Sequence, residues 1–572
     1  MSRGETLELP GTAGSGTGRM KSRRRRRRRG LWKIIMGDER MPMSSTDIVP
    51  PSIFDDLNWY DGQGGDGGRD KREAEEGVMD EVVCSTVQLD VLERWDAEKD
   101  IAYIKDILQG GESFTELFTG ENELQGLPGQ RSALTSAQID DLTRYGVMER
   151  KAQADGKVLN VVKAFTVPKP NGLRRLVVDG RTVGDAQEEP PHTCLPNIAD
   201  IRRLVRENAF IAQYDGKSWF YQLNAAGLKK YFALRTCKGV YWMKVLPMGW
   251  SWSVWIAQTV AKQLANKGVE RAHKRGSKTA TAEVYIDNFL LAAKSLEEAA
   301  VLCEEIQRTA VQAGAVLKPG DGPREVEDAL GMTLNCRDKT IALKEAWRAK
   351  FEMAVKKYLL APSKWSLRTT WKLLGGIMWA TRVLDIKHFR FPHLKAWMSR
   401  NAQRIAEGVA SWESQAPWWK HALDDLKKVC VWIANNNPST VLEPEALSRE
   451  TLWVDASTTG GGFLLENRGD SGAWPWSIED SKLPIHILEA KALRKGLQHW
   501  VRVREKDEGV DIKTDSTLVY YAVRNGKARG LPFNLELKLI SDLLCDHSYN
   551  IDWVPTAEQK ADDLSRAFAR PV

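Results

Sequence analysis

The spacing of apolar positions changes its period several times along the chain, and each change marks an element. Over "SAQIDDLTRYGVMER", Ile139, Leu142 and Tyr145 fall on one helical face, with Ser136 placed to cap it. "VQLDVLERWDAEKDIAYIKDILQG" upstream also carries apolar residues at helical spacing. "VVKAFTVPKPNGLRRLVVDGR" then reads as two strands joined by a Pro-Asn-Gly turn. In "AEVYIDNFLLAAKS", two apolar runs flank Asp287-Asn288, the pattern of a tight turn between strands. Residues 160–345 mix strands and helices, whereas 346–440 read as mainly helical, with dispersed tryptophans expected chiefly in a core. After the Asn- and Pro-rich "IANNNPSTVLEPEALSRE", a new series of strands followed by helices starts at Thr451. There are no internal repeats.

This pattern sets the expected divisions. Residues 1–130 form a basic, largely disordered extension, because "GTAGSGTG" and "DGQGGDGGRDKREAEEG" have the composition of disordered segments. A mixed region follows over 131–345, a helical one over 346–435, a linker over 436–449 and an α/β region over 450–572. Net charge is +7, and the seven arginines of Arg23–Arg29 account for that excess. Basicity is thus concentrated in one tail, suited to phosphate contacts or nuclear import. Seven scattered cysteines with no CxxC pair suggest neither a disulfide framework nor a zinc site, and fit a reducing compartment, cytoplasmic or nuclear. No apolar run approaches the roughly 20 residues of a membrane helix.

Carboxylates at the ends of apolar strands carry the chemistry. Asp215 closes the strand-like run in "AFIAQYDGKSWFYQL", and Asp287 sits at the turn of the later hairpin. Two strand-borne aspartates that converge suit a two-metal phosphoryl-transfer site holding Mg²⁺. Lys169, Arg174 and Arg175, on or beside the first hairpin, suit a triphosphate grip. Further along, Asp455 ends a strand in "TLWVDASTTGGGFLLEN", where Gly460–Gly462 are expected to turn the chain into the next strand. Glu489 lies early on the helix of "PIHILEAKALRKGLQHWV", Asp515 ends the strand of "VDIKTDSTLVYYAVRNG" with Ser516 as a cap, and Asp562 opens a last helix. Asp563, Glu536 and Asp542 read as solvated helix surface.

Residues 135–345 resemble the reverse transcriptase family. "VPKPNGLRRLVVDGR", "YDGKSWFYQL", "LPMGW" and "YIDN" occur in the family's order, followed by "AGAVLKPG" and "ALGMTLN". By that resemblance Lys169 and Arg175 bind the nucleotide triphosphate and Asp215 and Asp287 bind metal. Phe220 excludes a ribose 2′-OH, and Gly249 lies beside nucleotide and template. Three positions depart from the family: Asn288 where most members have a second aspartate, Met248 where retroviral enzymes have glutamine, and Gly184 where many relatives have asparagine. Residues 451–572 resemble ribonuclease H-like nucleases, whose carboxylate set falls on Asp455, Glu489, Asp515 and Asp562.

Together these resemblances imply an α+β multidomain chain: a right-hand polymerase with fingers, palm and thumb, then an α/β ribonuclease H-like domain. They imply two Mg²⁺ (or Mn²⁺) per active site, and an RNA template, a DNA primer, RNA–DNA hybrid and dNTPs as partners. "HILEAKAL" and "WVPTAEQKADDLSR" look most like retrotransposons of the tyrosine-recombinase kind (DIRS, Ngaro and VIPER). An element-encoded structural protein and recombinase are the further partners that this likeness implies.

Overall fold

A computed structural model describes residues 77–119, 131–169, 172–442, 448–505, 508–526, 528, 530–544 and 547–568. The arginine run and the rest of 1–76 and 120–130 lie outside them. Helices α1 (Leu89–Glu93), α2 (Asp100–Gln109), α3 (Glu112–Glu116) and α4 (Ser136–Arg144) come first. Thr135, one residue earlier than expected, caps α4 in a reciprocal box with Gln138. Residues 77–119 depart from the expected disordered extension: Met79, Leu92, Ile101, Ile104, Ile107 and Phe114 are buried in the same core as 131–317. The helical spacing of these apolar residues outweighs the charged composition around them.

Strands β1 (Met148–Arg150), β2 (Val161–Pro168) and β3 (Arg174–Asp179), then helices α5 (Arg181–Gly184) and α6 (Ile198–Glu207), lead to β4 (Phe210–Asp215). After β5 (Ala233–Thr236) and β6 (Gly239–Met243) come α7 (Ser253–Lys274), β7 (Thr281–Tyr285), β8 (Asn288–Ala293) and α8 (Leu296–Gln312). Among the described residues one sheet runs β1-β6-β5-β2-β3 and a second β4-β8-β7. Strand β8 is central in the second and apolar on both faces. Phe289 and Leu291 enter the core shared with α7 and α8. Leu290 and Ala292 enter a second core, built largely from the helical region. That two-sided burial explains the unbroken apolar run "FLLAA".

Strands β9 (Val326–Ala329), β10 (Met332–Asn335) and β11 (Thr340–Leu343) precede α9 (Glu345–Leu359), α10 (Leu367–Val383), α11 (Pro392–Ala406) and α12 (Lys420–Asn435). Of the dispersed tryptophans, Trp379 and Trp397 are buried in this core, and Trp365, Trp371, Trp418, Trp419 and Trp432 pack half-buried against it; Trp397 stacks on Trp418 with ring centroids 4.1 Å apart. The expected linker is partly ordered, since β12 (Ser439–Thr440) pairs with β11. The carboxy-terminal region contains β13 (Ser448–Ala456), β14 (Gly460–Leu465), β15 (Asp470–Pro475), α13 (Ile485–Val503), β16 (Glu508–Thr514), α14 (Thr517–Asn525), α15 (Leu531–Leu544), β17 (Tyr549–Trp553) and α16 (Asp562–Arg566). Its sheet runs β15-β14-β13-β16-β17, with β13, β16 and β17 parallel. No helix among the described residues is long and apolar enough to cross a membrane.

Candidate active sites

The first site grows from the β4–β8 register. Asp215 pairs with Asn288, so the β7–β8 turn sets Asp287 beside Asp215, and the Gly216 N–H donates to the Asp287 carbonyl at 2.7 Å. Ile286 holds a left-handed backbone (φ 57°), uncommon for a β-branched residue. Buried Gln258 on α7 braces that turn: its amide donates to Val284 O at 2.8 Å and its carbonyl accepts from Ile286 N at 2.7 Å. A polar residue inside the apolar helical run "WIAQTVA" was the available signal for it. Burial first, then the charge of Asp215, pushes the Asp287 carboxyl up to about 6, while Arg175 and Lys318 oppose the rise. Lys318 forms an ion pair with Asp215.

Asn288 acts in the turn. Its carbonyl oxygen accepts from Gln213 at 2.7 Å, and its amide donates to Asp287 at 3.1 Å. The hairpin divides its basic residues. Arg174 does not serve the expected grip: it is buried, with its guanidinium on Thr166 Oγ1 at 2.7 Å. It shares the inward face of β3 with Leu176 and Val178, an alternation legible in the sequence. Arg175 points outward. Lys169 is ion-paired with Asp80, which residues 78–80 bring alongside β3 through Arg174 N to Val78 O and Asp80 N to Arg174 O, both 3.0 Å. Phe220 lies half-buried in a 3₁₀ turn, Trp219–Gln222, just after Asp215. The backbone of residues 85–87 bonds that turn, Ser85 N to Tyr221 O at 2.8 Å and Val87 N to Gln222 O at 3.1 Å.

Gly249 (φ 116°) lets this loop meet β3, because a Cβ there would lie 2.0 Å from Val178 O. Gly184 likewise sits against this loop, where a Cβ would meet Ser251 Oγ at 2.7 Å. Met248 is partly buried against the first core.

The second site is tighter. Asp455 on β13, Glu489 on α13 and Asp515 after β16 each offer a carboxylate oxygen within 4.8 Å of the others. Glu489 Oε2 is buried without a hydrogen-bond partner. Burial, then the charges of Asp455 and Asp515, pushes Glu489 up to about 9. Asp455 is raised too, by burial first and then by Asp515 and Asp562, with the Ser565 hydroxyl opposing. Three converging acidic groups with an orphaned oxygen fit a divalent cation, the counter-charge the cluster lacks. Asp562 falls outside that 4.8 Å trio, though near enough for its charge to act on Asp455, and is held by Arg566 at 2.8 Å.

Three expectations change here. Gly460–Gly462 begin β14 itself, and their bareness admits α16: a Cβ on Gly462 would meet Leu564 Cβ at 2.5 Å. Ser516 takes the N-cap position of α14 without a side-chain bond. Glu536 is no solvated surface group, being half-buried and paired with Arg494 at 2.8 Å. Asp563, at the start of α16, and Asp542, 4.0 Å from Arg390, are exposed, as expected.

No protein-family model matches the chain, and no curated protein matches it in sequence. Among solved structures, the chain is similar to a foamy viral protease-reverse transcriptase dRH in complex with double-stranded DNA: 13% identity over 88% of this chain and 85% of that one, TM-score 0.45. It is also similar to the foamy viral protease-reverse transcriptase in complex with RNA/DNA hybrid, at 12% identity over 82% of this chain and 63% of that one, TM-score 0.45.

Proposed function

We propose that this chain is an RNA-directed DNA polymerase of a retroelement that also cuts the RNA of its hybrid product. The observation that carries the reading is that one chain assembles two separate carboxylate sites. Asp215 and Asp287 meet at a sheet end beside Arg175, and Asp455, Glu489 and Asp515 converge with an orphaned oxygen. Divalent cations, Mg²⁺ or Mn²⁺, supply at such sites the charge that stabilises attacking and leaving oxygens of phosphoryl transfer. Asp215 and Asp287 would hold them in the polymerase, and Asp455, Glu489, Asp515 and Asp562 in the nuclease.

The chain's own residues do the rest. Arg175 and Lys169 neutralise the incoming triphosphate. Phe220, in the turn after Asp215, closes the space a ribose 2′-OH would need, and Gly249 keeps β3 close to the site. In this reading 131–345 are fingers and palm, 346–435 the thumb and connection, and 450–572 the ribonuclease H-like domain. The DIRS-like subfamily rests on "HILEAKAL" and "WVPTAEQKADDLSR" alone.

One observation favours a second reading, a nuclease with an inert polymerase half: the Asn288 carbonyl is taken by Gln213, which leaves two carboxylates at the first site. Primer extension on an end-labelled RNA template, with both strands followed, separates the two. Extension with RNA cutting, and loss of extension alone in Asp287→Ala, supports the polymerase. RNA cutting without extension, in Mg²⁺ and in Mn²⁺, establishes the nuclease reading instead.

A further inference from the structure

The carboxy-terminal region has its own core, and among the described residues every buried member of that core but one lies between Leu452 and Leu544. The exception is Phe389, from the 3₁₀ turn His388–Arg390 between α10 and α11. Its ring is 5% exposed and is counted among residues that include Phe533, Leu537 and Ile540. Its backbone N–H donates to Gly526 O, at the end of α14, at 3.3 Å. The next residue reaches both ways: the Arg390 guanidinium lies 5.0 Å from the Trp432 ring centroid on α12 and 4.0 Å from Asp542 on α15. Helix α11 packs on α15 beside it. Asp385, just before the turn, is close enough for its charge to help raise the Tyr549 phenol.

We propose that the 388–390 turn is the docking contact that fixes the nuclease on the helical region, with Phe389 as the positioning residue that sets where the RNA is cut relative to the primer end. The path to the first site is continuous. α9–α12 share their core with β4 and β8, the strands that carry Asp215 and flank Asp287. Packing is therefore continuous from β4 and β8 through that core to Leu384 and Phe391, on either side of Phe389, and through Phe389 to α14 and α15. Phe389 touches neither carboxylate site, so its effect falls on spacing and not on chemistry. This inference rests on the two-activity reading above.

A cross-link tests the contact without any catalysis. A Cβ at Gly526 would lie 3.4 Å from Lys387 Cβ, close to the roughly 3.5–4.5 Å of disulfides. Gly526 holds a left-handed backbone (φ 65°) that strains a Cys there, so the full-length Lys387→Cys/Gly526→Cys protein is first shown to melt cooperatively close to the wild-type temperature; mild oxidation is then expected to join the two positions, read by peptide mass mapping. Failure to join them overturns the docking contact. The second arm uses an end-labelled RNA annealed to a DNA primer with a recessed 3′ end, without dNTPs. Wild type is expected to cut in one narrow cluster. Phe389→Ala spreads the cuts over several nucleotides, while extension and hydrolysis of a long uniform hybrid stay within twofold. Oxidising the cysteine pair in the Phe389→Ala background restores the narrow cluster, and reduction removes it. An equally narrow cluster in reduced Phe389→Ala protein, or scattered cuts in wild type, overturns the positioning role. If Phe389→Ala does not fold, Phe389→Leu takes its place in the same comparison. Absence of both activities in wild type would sink the two-activity reading and leave the cross-link result standing.

Discussion

Glu489 carries the largest conflict between stability and chemistry of any single side chain described above. Its carboxyl is raised to about 9 by burial and by two aspartates. A carboxyl raised on folding binds more protons in the native than in the unfolded state between about 4.5 and 9, so metal-free stability falls as pH rises through that window. Glu489→Gln is therefore expected to raise the metal-free melting temperature at pH 8, by ~5 °C as an order of magnitude. The gain should shrink toward pH 5, and RNA cutting should be lost. A variant no more stable than wild type at pH 8 would refute that account of the site.

Burial, then the charge of Asp215, pushes the Asp287 carboxyl up to about 6, and a cation competes with that proton. Below pH 6 the apparent metal affinity of the extension reaction should fall by about tenfold per pH unit. A flat metal dependence between pH 5 and 7 would contradict this. Asp80 is the third case, because its carboxylate holds the Lys169 ammonium that the proposed polymerase would set against the triphosphate. Asp80→Asn should lower the KM for dNTPs with kcat little changed. A raised KM would show instead that Asp80 orients Lys169.

These residues differ in how much the sequence reveals of them. Asp215, Asp287, Asp455 and Asp515 were legible because each follows an apolar strand run, where a carboxylate needs a reason. Arg174 was misplaced although its alternation with Leu176 and Val178 puts it inside. Asp80 left no local sign, since its partner is 89 positions away. Asp562 was legible as an acid on a last helix, and its pairing with Arg566 follows from their i, i+4 spacing on that helix.

At the scale of elements, the β4-β8-β7 sheet and the β13–β16 parallel pair bring the acidic residues together, and the helices lock them there. Helix α16 needs the bare β14 surface, since a Cβ on Gly462 would strike Leu564. Gly462→Val should overpack that contact, at about 1–3 kcal/mol, and displace Asp562. RNA cutting should fall while primer extension is retained. Equal loss of both activities would show that the damage is global. The strands and α13 were foreseeable from period alone. The glycine triplet was not, because a turn and a close helix approach use the same residue.

Across the whole molecule, the stretch 77–119 touches more of the first site's scaffold than its sequence suggests. It runs beside β3, bonds the turn carrying Phe220, and reaches the end of α8 through Gln88 N to Ala313 O at 2.7 Å. Its buried side chains belong to the same core as that scaffold. For anyone expressing this chain, the motifs quoted from its sequence would suggest a shortened protein starting near residue 131. Such a protein would expose the surface that Leu92, Ile104 and Phe114 now cover and leave the Phe220 turn without its backbone partners. It should be recovered as aggregate, or soluble only with impaired extension, whereas a chain starting near residue 77 should keep both activities. Among the described residues the packed unit therefore reaches back to Met79 at least, 88 positions before Val167, where the first quoted motif begins.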